Sequence, residues 1–272
     1  MSLKCIHSYN GLRVANGGYV MPCCYYDESK PFKDEMGNII KTDTHTFQQM
    51  FENPDRKRLI NDLENGIQHD GCKRCWDDEK YHGESRRTRD LRLGYEEKPI
   101  VKYLELNLGN TCNLACRMCQ SHVSSKVFKV WEAIGLPTQK PYAYDHVSDT
   151  LIRDYADTVR YIDLMGGEPL YNKKVHKLID WLVTNNHSSH ITIYLTTNAM
   201  ILDQKLIDNL NKFEKVVCIV SLDAVGKKHE YIRPGADWNT ILKNIRLLQA
   251  NKMDVIIQPV ISAINILCLP EL

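Results

Sequence analysis

From residue 100 to the C-terminus, short β-branched runs alternate with helix-length stretches, and few folds accommodate that rhythm. The runs are "IVKYLELNL" (100–108), "VRYIDLM" (159–165), "HITIYLT" (190–196), "KVVCIVSL" (215–222) and "MDVIIQPVI" (253–261). Such apolar runs suit strands buried on both faces. Between the later ones lie "KVHKLIDWLVTNN", "DQKLIDNLNKF" and "DWNTILKNIRLLQANK", each with an apolar stripe at i, i+3/i+4 that fits a helix laid on a sheet. Strand, helix, strand with short connections means βαβ units and a parallel sheet, curled or open. The expected fold class for 95–272 is therefore α/β, with about five βα units.

Residues 1–94 have another texture: irregular, turn-rich ("NGGYVMP", "DESKP", "DEMGN") and rich in cysteine. One helix is expected over roughly 55–65, where Leu59, Ile60 and Leu63 recur at helical spacing and Gly66 is a stop. The charged stretch after Cys75 is expected to be partly helical, with Arg86, Arg87, Arg89 and Arg92 on a solvated face. This part reads as a small α+β module preceding the regular domain, with the boundary at 94/95.

The formal net charge of +1 gives no argument for nucleic acid or a membrane surface as partner. The opening "MSLKCIHSYNG" has no apolar signal-like core, and no segment approaches 18 consecutive apolar residues. A cytoplasmic protein is the expectation. In a reducing compartment, clustered cysteines suggest metal or redox chemistry more than disulfides. Eight of the ten cysteines fall into spaced sets; Cys218 and Cys268 lie in apolar runs and read as small buried hydrophobes.

The densest set is "GNTCNLACRMCQ" (109–120), which spaces Cys112, Cys116 and Cys119 as C-x3-C-x2-C. It directly follows the first strand, at the end where parallel α/β folds bind ligands. The stretch is too polar for core. Zinc would need a fourth ligand, and His122 is available. An iron–sulfur cluster takes thiolates as its standard ligands, and a cubane held by three leaves one iron open.

On these residues the chain resembles the radical S-adenosylmethionine (SAM) enzymes, and the resemblance covers roughly 100–272. The companions come in family order at successive strand ends. Gly166, Gly167, Glu168 and Pro169 match the GGEP motif; Thr197 and Asn198 resemble the polar pair near the SAM methionyl or ribose; Ser221 and Asp223 match S-x-D; Arg233 matches the downstream I-R. Met118 is placed like the apolar residue whose backbone touches the adenine. The resemblance implies a partial (β/α)6-type barrel, a 4Fe–4S cluster on Cys112, Cys116 and Cys119, and SAM bound at its open iron. The glycines would let backbone approach the SAM amino group, with Glu168 as an acceptor nearby. It implies reductive cleavage of SAM to a 5′-deoxyadenosyl radical that abstracts hydrogen. The family core has six strands; five precede the end of this sequence, so the chain is expected to be a fragment or a shortened barrel completed by another part of the molecule. "NILCLPEL" reads as the start of the fifth helix.

The N-terminal cysteines, C-x12-G-x4-C from Cys5 to Cys23 and then Cys72-x2-Cys75, resemble the auxiliary-cluster twitch module, the short relative of SPASM. In that module a β-hairpin and a following helix hold a second 4Fe–4S cluster. The resemblance makes Cys5, Cys23, Cys72 and Cys75 the ligands, with Cys24 the spare and hard to tell from Cys23. Structural zinc is the alternative for this set. A closed cluster would serve electron transfer or substrate positioning. Enzymes with such modules often modify peptides or proteins, or dehydrogenate small alcohols, so a peptide, protein or small-molecule substrate is expected, with a flavodoxin- or ferredoxin-type electron donor. A non-catalytic cluster- or zinc-binding remnant is the competing class. No residue stands out as a catalytic acid or base; Tyr25, Tyr26, Glu79 and His229 are polar candidates.

Overall fold

The computed structural model describes residues 3–94, 96, 98, 100–138 and 152–271, which fall into two compact units. The first takes in 3–106 and 152–160; the second takes in 107–138 and 161–271.

In the first unit, α1 (Ile6–Asn10) runs straight into β1 (Gly11–Val14). A Cβ on Gly11 would stand 2.6 Å from the Pro22 carbonyl oxygen and 2.8 Å from the His7 backbone, so this junction tolerates glycine alone. Gly17 and Gly18, with φ of 84° and 75°, turn the chain into β2 (Val20–Met21), antiparallel to β1 with Arg13 opposite Met21. The expected hairpin is thus present. Then come α2 (Phe47–Phe51) and α3 (Pro54–Glu64), the latter capped by the Asn53 side chain and started by Pro54. Leu59 and Leu63 on α3 are buried, as the spacing predicts. The next helix, α4 (Lys73–His82), ends on Gly83 in the left-handed region, and Ser85 caps α5 (Arg86–Asp90).

Two outcomes here were not expected. β3 (Tyr103–Asn107) pairs in parallel with β1, Gly11 opposite Tyr103 and Val14 opposite Leu106, so the irregular module contributes a strand to a parallel ladder. Arg86 and Arg87 are not solvated: they are 7% and 8% exposed. Carboxylates of Glu79, Asp90 and Glu105 meet them inside, which offsets the cost of removing two charges from water.

The second unit begins with α6 (Ser125–Ala133). It continues through β4 (Tyr161–Met165), α7 (Lys173–Thr184), β5 (Thr192–Thr197), α8 (Gln204–Leu210) and β6 (Lys215–Val220). It ends with α9 (Lys227–Ile232), α10 (Trp238–Ala250) and β7 (Asp254–Ile257). The four strands pair in parallel in chain order, Leu164 with Leu195, Leu195 with Cys218 and Cys218 with Val255. This is the expected α/β fold with a parallel sheet. Ile162, Leu164, Ile193, Leu195, Cys218 and Val220 are fully enclosed. Val175, Leu178, Ile179 and Leu182 form the buried stripe of α7.

The tail departs from expectation. After β7 the chain forms turns and a short 3-10 segment, Leu269–Glu271, in place of a fifth helix. The Asn265 side chain accepts from Ser262 N–H and donates to the carbonyls of Val260 and Asp223, taking backbone groups a helix would need. Cys268 is half-exposed, whereas Cys218 is buried as read. Among the described residues, no helix is long and apolar enough to cross a membrane.

Candidate functional site

In the second unit the in-register strands bring the loops after β4, β5, β6 and β7 side by side at their carboxyl ends. A cleft of about 400 Å³ opens there, lined by Cys112, Cys116, Cys119 and Met118 and by residues from all four loops. The cysteine loop is clamped from two sides. At α6, the Cys112 N–H donates to Ser125 Oγ (3.1 Å) and the Ser124 hydroxyl to the Leu114 carbonyl (3.2 Å). Near the end of α9, Ala115 N–H and Arg117 N–H donate to the carbonyls of Pro234 and Ile232, both at 3.0 Å. A turn from the Cys116 carbonyl to Cys119 N–H (3.0 Å) closes the x2 spacer. Burial, the largest influence, pushes all three thiols up, Cys116 to about 12, while the Arg233 guanidinium pulls Cys116 down.

Gly166 and Gly167 line the cleft, but the room left by their missing Cβ atoms is filled by the cysteine loop. A Cβ on Gly166 would meet the Gly109 carbonyl oxygen at 2.4 Å, and one on Gly167 would meet the Asn110 backbone at 2.6 Å. Gly167 N–H donates to Gly109 O (2.8 Å) and Glu168 N–H to Thr111 O (2.9 Å), so the two loops run together like a short ladder.

Glu168 is buried, and both carboxylate oxygens accept from its own chain. Oε1 takes the Thr197 hydroxyl (2.6 Å) and Leu170 N–H (3.2 Å); Oε2 takes Asn198 N–H (2.7 Å). Burial outweighs these bonds and raises its carboxyl to about 7. The Asn198 amide donates to Asn113 Oδ1 (2.9 Å), tying the β5 loop to the cysteine loop. Ser221 lines the cleft; Pro169 and Asp223 do not. Pro169 opens a short buried turn after the glycines. Asp223 is fully buried behind the cleft, where Oδ2 accepts from Arg233 Nε (2.6 Å) and Oδ1 from Val260 N–H (2.8 Å). His229 is also buried. Its Nδ1 accepts Asp223 N–H (3.3 Å), and burial with Arg233 nearby lowers its pKa to about 4. It does not line the cleft. Leu114, Thr196, Gln120 and Val260 also line it, and no motif marks them, because strand register and loop path put them there.

The first unit has its own enclosed cavity, lined by Cys5, Cys23, Cys72 and Cys75. Cys5 directly precedes α1, Cys23 follows β2, Cys72 directly precedes α4 and Cys75 sits in its first turn. Burial raises all four thiols, Cys5 to about 11. Cys24 lies outside the lining, against Arg86 Nη1, so the geometry separates it from Cys23. Tyr26 packs over Gly71, where a Cβ would stand 2.4 Å from its ring, and helps hold the backbone that carries Cys72. Tyr25 also lines the cavity; Glu79 is engaged by Arg87 and Ser85. Among the described residues, no three Cys, His, Asp or Glu side chains are gathered to hold a lone metal ion. Both cysteine sets border a cavity, and thiolates are the donors an iron–sulfur cluster takes.

Residues 106–272 match the model of the radical SAM superfamily, and residues 5–76 match that of an iron–sulfur cluster-binding domain, SPASM. No curated protein matches the chain. Among solved structures, native anSMEcpe with bound AdoMet is similar at 20% identity over 57% of this chain and 42% of that one, with a TM-score of 0.42. SuiB of Streptococcus suis bound to S-adenosylmethionine is similar at 15% identity over 89% of this chain and 56% of that one, with a TM-score of 0.41. The chain spans about half the length of these proteins.

Proposed function

Because this chain belongs to the radical SAM superfamily, we propose that it is an enzyme that begins its reaction by hydrogen-atom abstraction. In this reading Cys112, Cys116 and Cys119 hold a 4Fe–4S cluster and the adjoining cleft holds SAM. Bound together, that pair supplies one-electron cleavage of the sulfonium and a 5′-deoxyadenosyl radical. The observation that carries the proposal is that three thiols, and no fourth cysteine, border one cleft together with the loops after four parallel strands.

The chain's own residues then divide the work. The clamped cysteine loop presents three donors, and the glycine pair presses backbone against it. Met118, Ser221, Thr197, Asn198 and Arg233 border the space for SAM. Glu168 braces the β4 and β5 loops, and Asp223 orients Arg233. Cys5, Cys23, Cys72 and Cys75 would hold a second 4Fe–4S cluster, which would supply an acceptor for an electron from a substrate radical. In this reading residues 1–94 are the auxiliary module and 95–272 the core. A peptide or protein substrate is the reading that goes with an SPASM module, with a small molecule as the alternative. Clustered thiols suit the cytoplasm and a flavodoxin- or ferredoxin-type donor.

The test is anaerobic reconstitution. Two 4Fe–4S clusters give about eight irons per chain, and dithionite-reduced protein given SAM releases 5′-deoxyadenosine. A Cys116→Ala variant that releases it at the same rate would overturn the assignment of the first cluster.

A further inference from the structure

Three arginines lie buried around the N-terminal cavity, and two of them have carboxylate partners. Arg87 grips Glu79 with two nitrogens, and Arg86 is met by Asp90 and Glu105. Arg56 forms no ion pair among the described residues. It is 2% exposed, with its guanidinium carbon 4.4 Å from the ring centre of Phe51 and 5.4 Å from that of Phe32. Among the described residues it donates only to backbone carbonyls, at 2.8 Å to Ser8 and to Gly11 and 3.4 Å to His7, and its Nε has no partner.

Carbonyl dipoles satisfy hydrogen bonds, but they carry no net charge to balance a buried cation. Burial is the largest influence on Arg56 and lowers its pKa to about 9; against it, Cys23 and then Cys5, two of the four thiols that line the cavity, favour its charge when they are thiolates. His7 and Ser8, whose carbonyls Arg56 holds, line the same cavity, so the guanidinium sits one backbone layer behind its wall. Protonated thiols would leave that cation uncompensated; thiolates around a cluster would not.

We infer that Arg56 is the counter-cation of the thiolate-held group in this cavity, and that its charge favours the more reduced state of that group. The inference rests on the second cluster proposed above. One electron added to the cluster adds one negative charge to the cavity, and a fixed positive charge nearby stabilises that state. Arg56 is a positioning residue here, acting through the field at the cavity and touching no substrate.

The experiment uses the full chain with Cys112, Cys116 and Cys119 all changed to Ala, reconstituted anaerobically, so that only the N-terminal cluster remains. Iron is counted first, and the midpoint is then read by EPR during a dithionite titration. Arg56→Gln keeps donors without charge; Arg56→Lys keeps charge with fewer donors. The expected result for Arg56→Gln is about a tenfold fall in the reduced-to-oxidised ratio at fixed potential, or about 59 mV for one electron. Arg56→Lys should move less than half as far. An unchanged midpoint in Arg56→Gln, or equal shifts in both variants, overturns the inference. Iron lost from Arg56→Gln but kept by Arg56→Lys supports it; iron lost from both makes Arg56 a cap for α1 and overturns it. Zinc in place of iron in the parent would sink the second-cluster reading on its own. Chelator competition then tests Arg56 as a counter-cation alone, with support for that role only if Arg56→Gln, and not Arg56→Lys, loses zinc affinity by about tenfold or more.

Discussion

Arg233 and Asp223 form a buried ion pair, Nε to Oδ2 at 2.6 Å, and the same guanidinium reaches to 3.9 Å from the Cys116 sulfur. The carboxylate stands behind the cleft and the cation faces into it, so one side chain sets the position of the other. Removing Asp223 leaves a buried charge without its partner. Asp223→Ala should therefore cost about 3–5 kcal/mol in urea unfolding. Arg233→Lys, which keeps the charge and loses the fork, should cost less.

The glycine after Gly166 is required by backbone proximity. Gly167→Ala puts a Cβ 2.5 Å from the Thr111 carbonyl oxygen and 2.6 Å from Asn110. The cysteine loop must move to make room. A loss of about 1–3 kcal/mol in stability is expected, together with slower release of 5′-deoxyadenosine. Wild-type stability in calorimetry would count against this packing.

Two buried groups give the cluster-free protein opposing pH dependences. Glu168 has its carboxyl raised to about 7, so the fold binds its proton more tightly than the unfolded chain does. That contribution is full below about 4.5 and is lost as pH rises through 7. His229 is lowered to about 4, so its contribution is full above about 6.5 and is lost as pH falls through 4. Between pH 4.5 and 6.5 the two slopes offset each other. Glu168→Gln should expose the His229 slope, making urea midpoints rise with pH over that window. Midpoints with the same slope in wild type and variant would refute the Glu168 assignment.

Neighbouring cysteines should behave differently on substitution. Cys23→Ser removes a residue that lines the enclosed cavity, and iron should fall from about eight to about four per chain. Cys24→Ser, at the position against Arg86, should keep the full count. Equal loss from both variants would mean that the geometry does not separate them.

Periodicity located α3 and all five strands of the regular domain to within a few residues; burial of β3 to β6 writes itself into local composition, whereas β7 has as apolar a run and is mostly exposed. Periodicity could not find the pairing of β1 with β3, since a four-residue strand beginning at Gly11 carries too little pattern. Nor could it place the tail, where a single side chain, Asn265, competes with helix formation.

For the site, residue type and spacing sufficed to name the thiol donors, because ligand chemistry is local: three cysteines within eight residues bring three sulfurs to one loop. Tertiary structure alone decided which polar residues face the cleft. Thr197 and Asn198 line it, and Asp223 lies behind it bound to Arg233. It also buried Arg86 and Arg87 where composition suggests a solvated face, and left Arg56 behind the wall of the thiol-lined cavity with no carboxylate partner among the described residues. A charge is a property of one residue; whether it has a partner depends on segments far apart in sequence, and only folding brings them within reach.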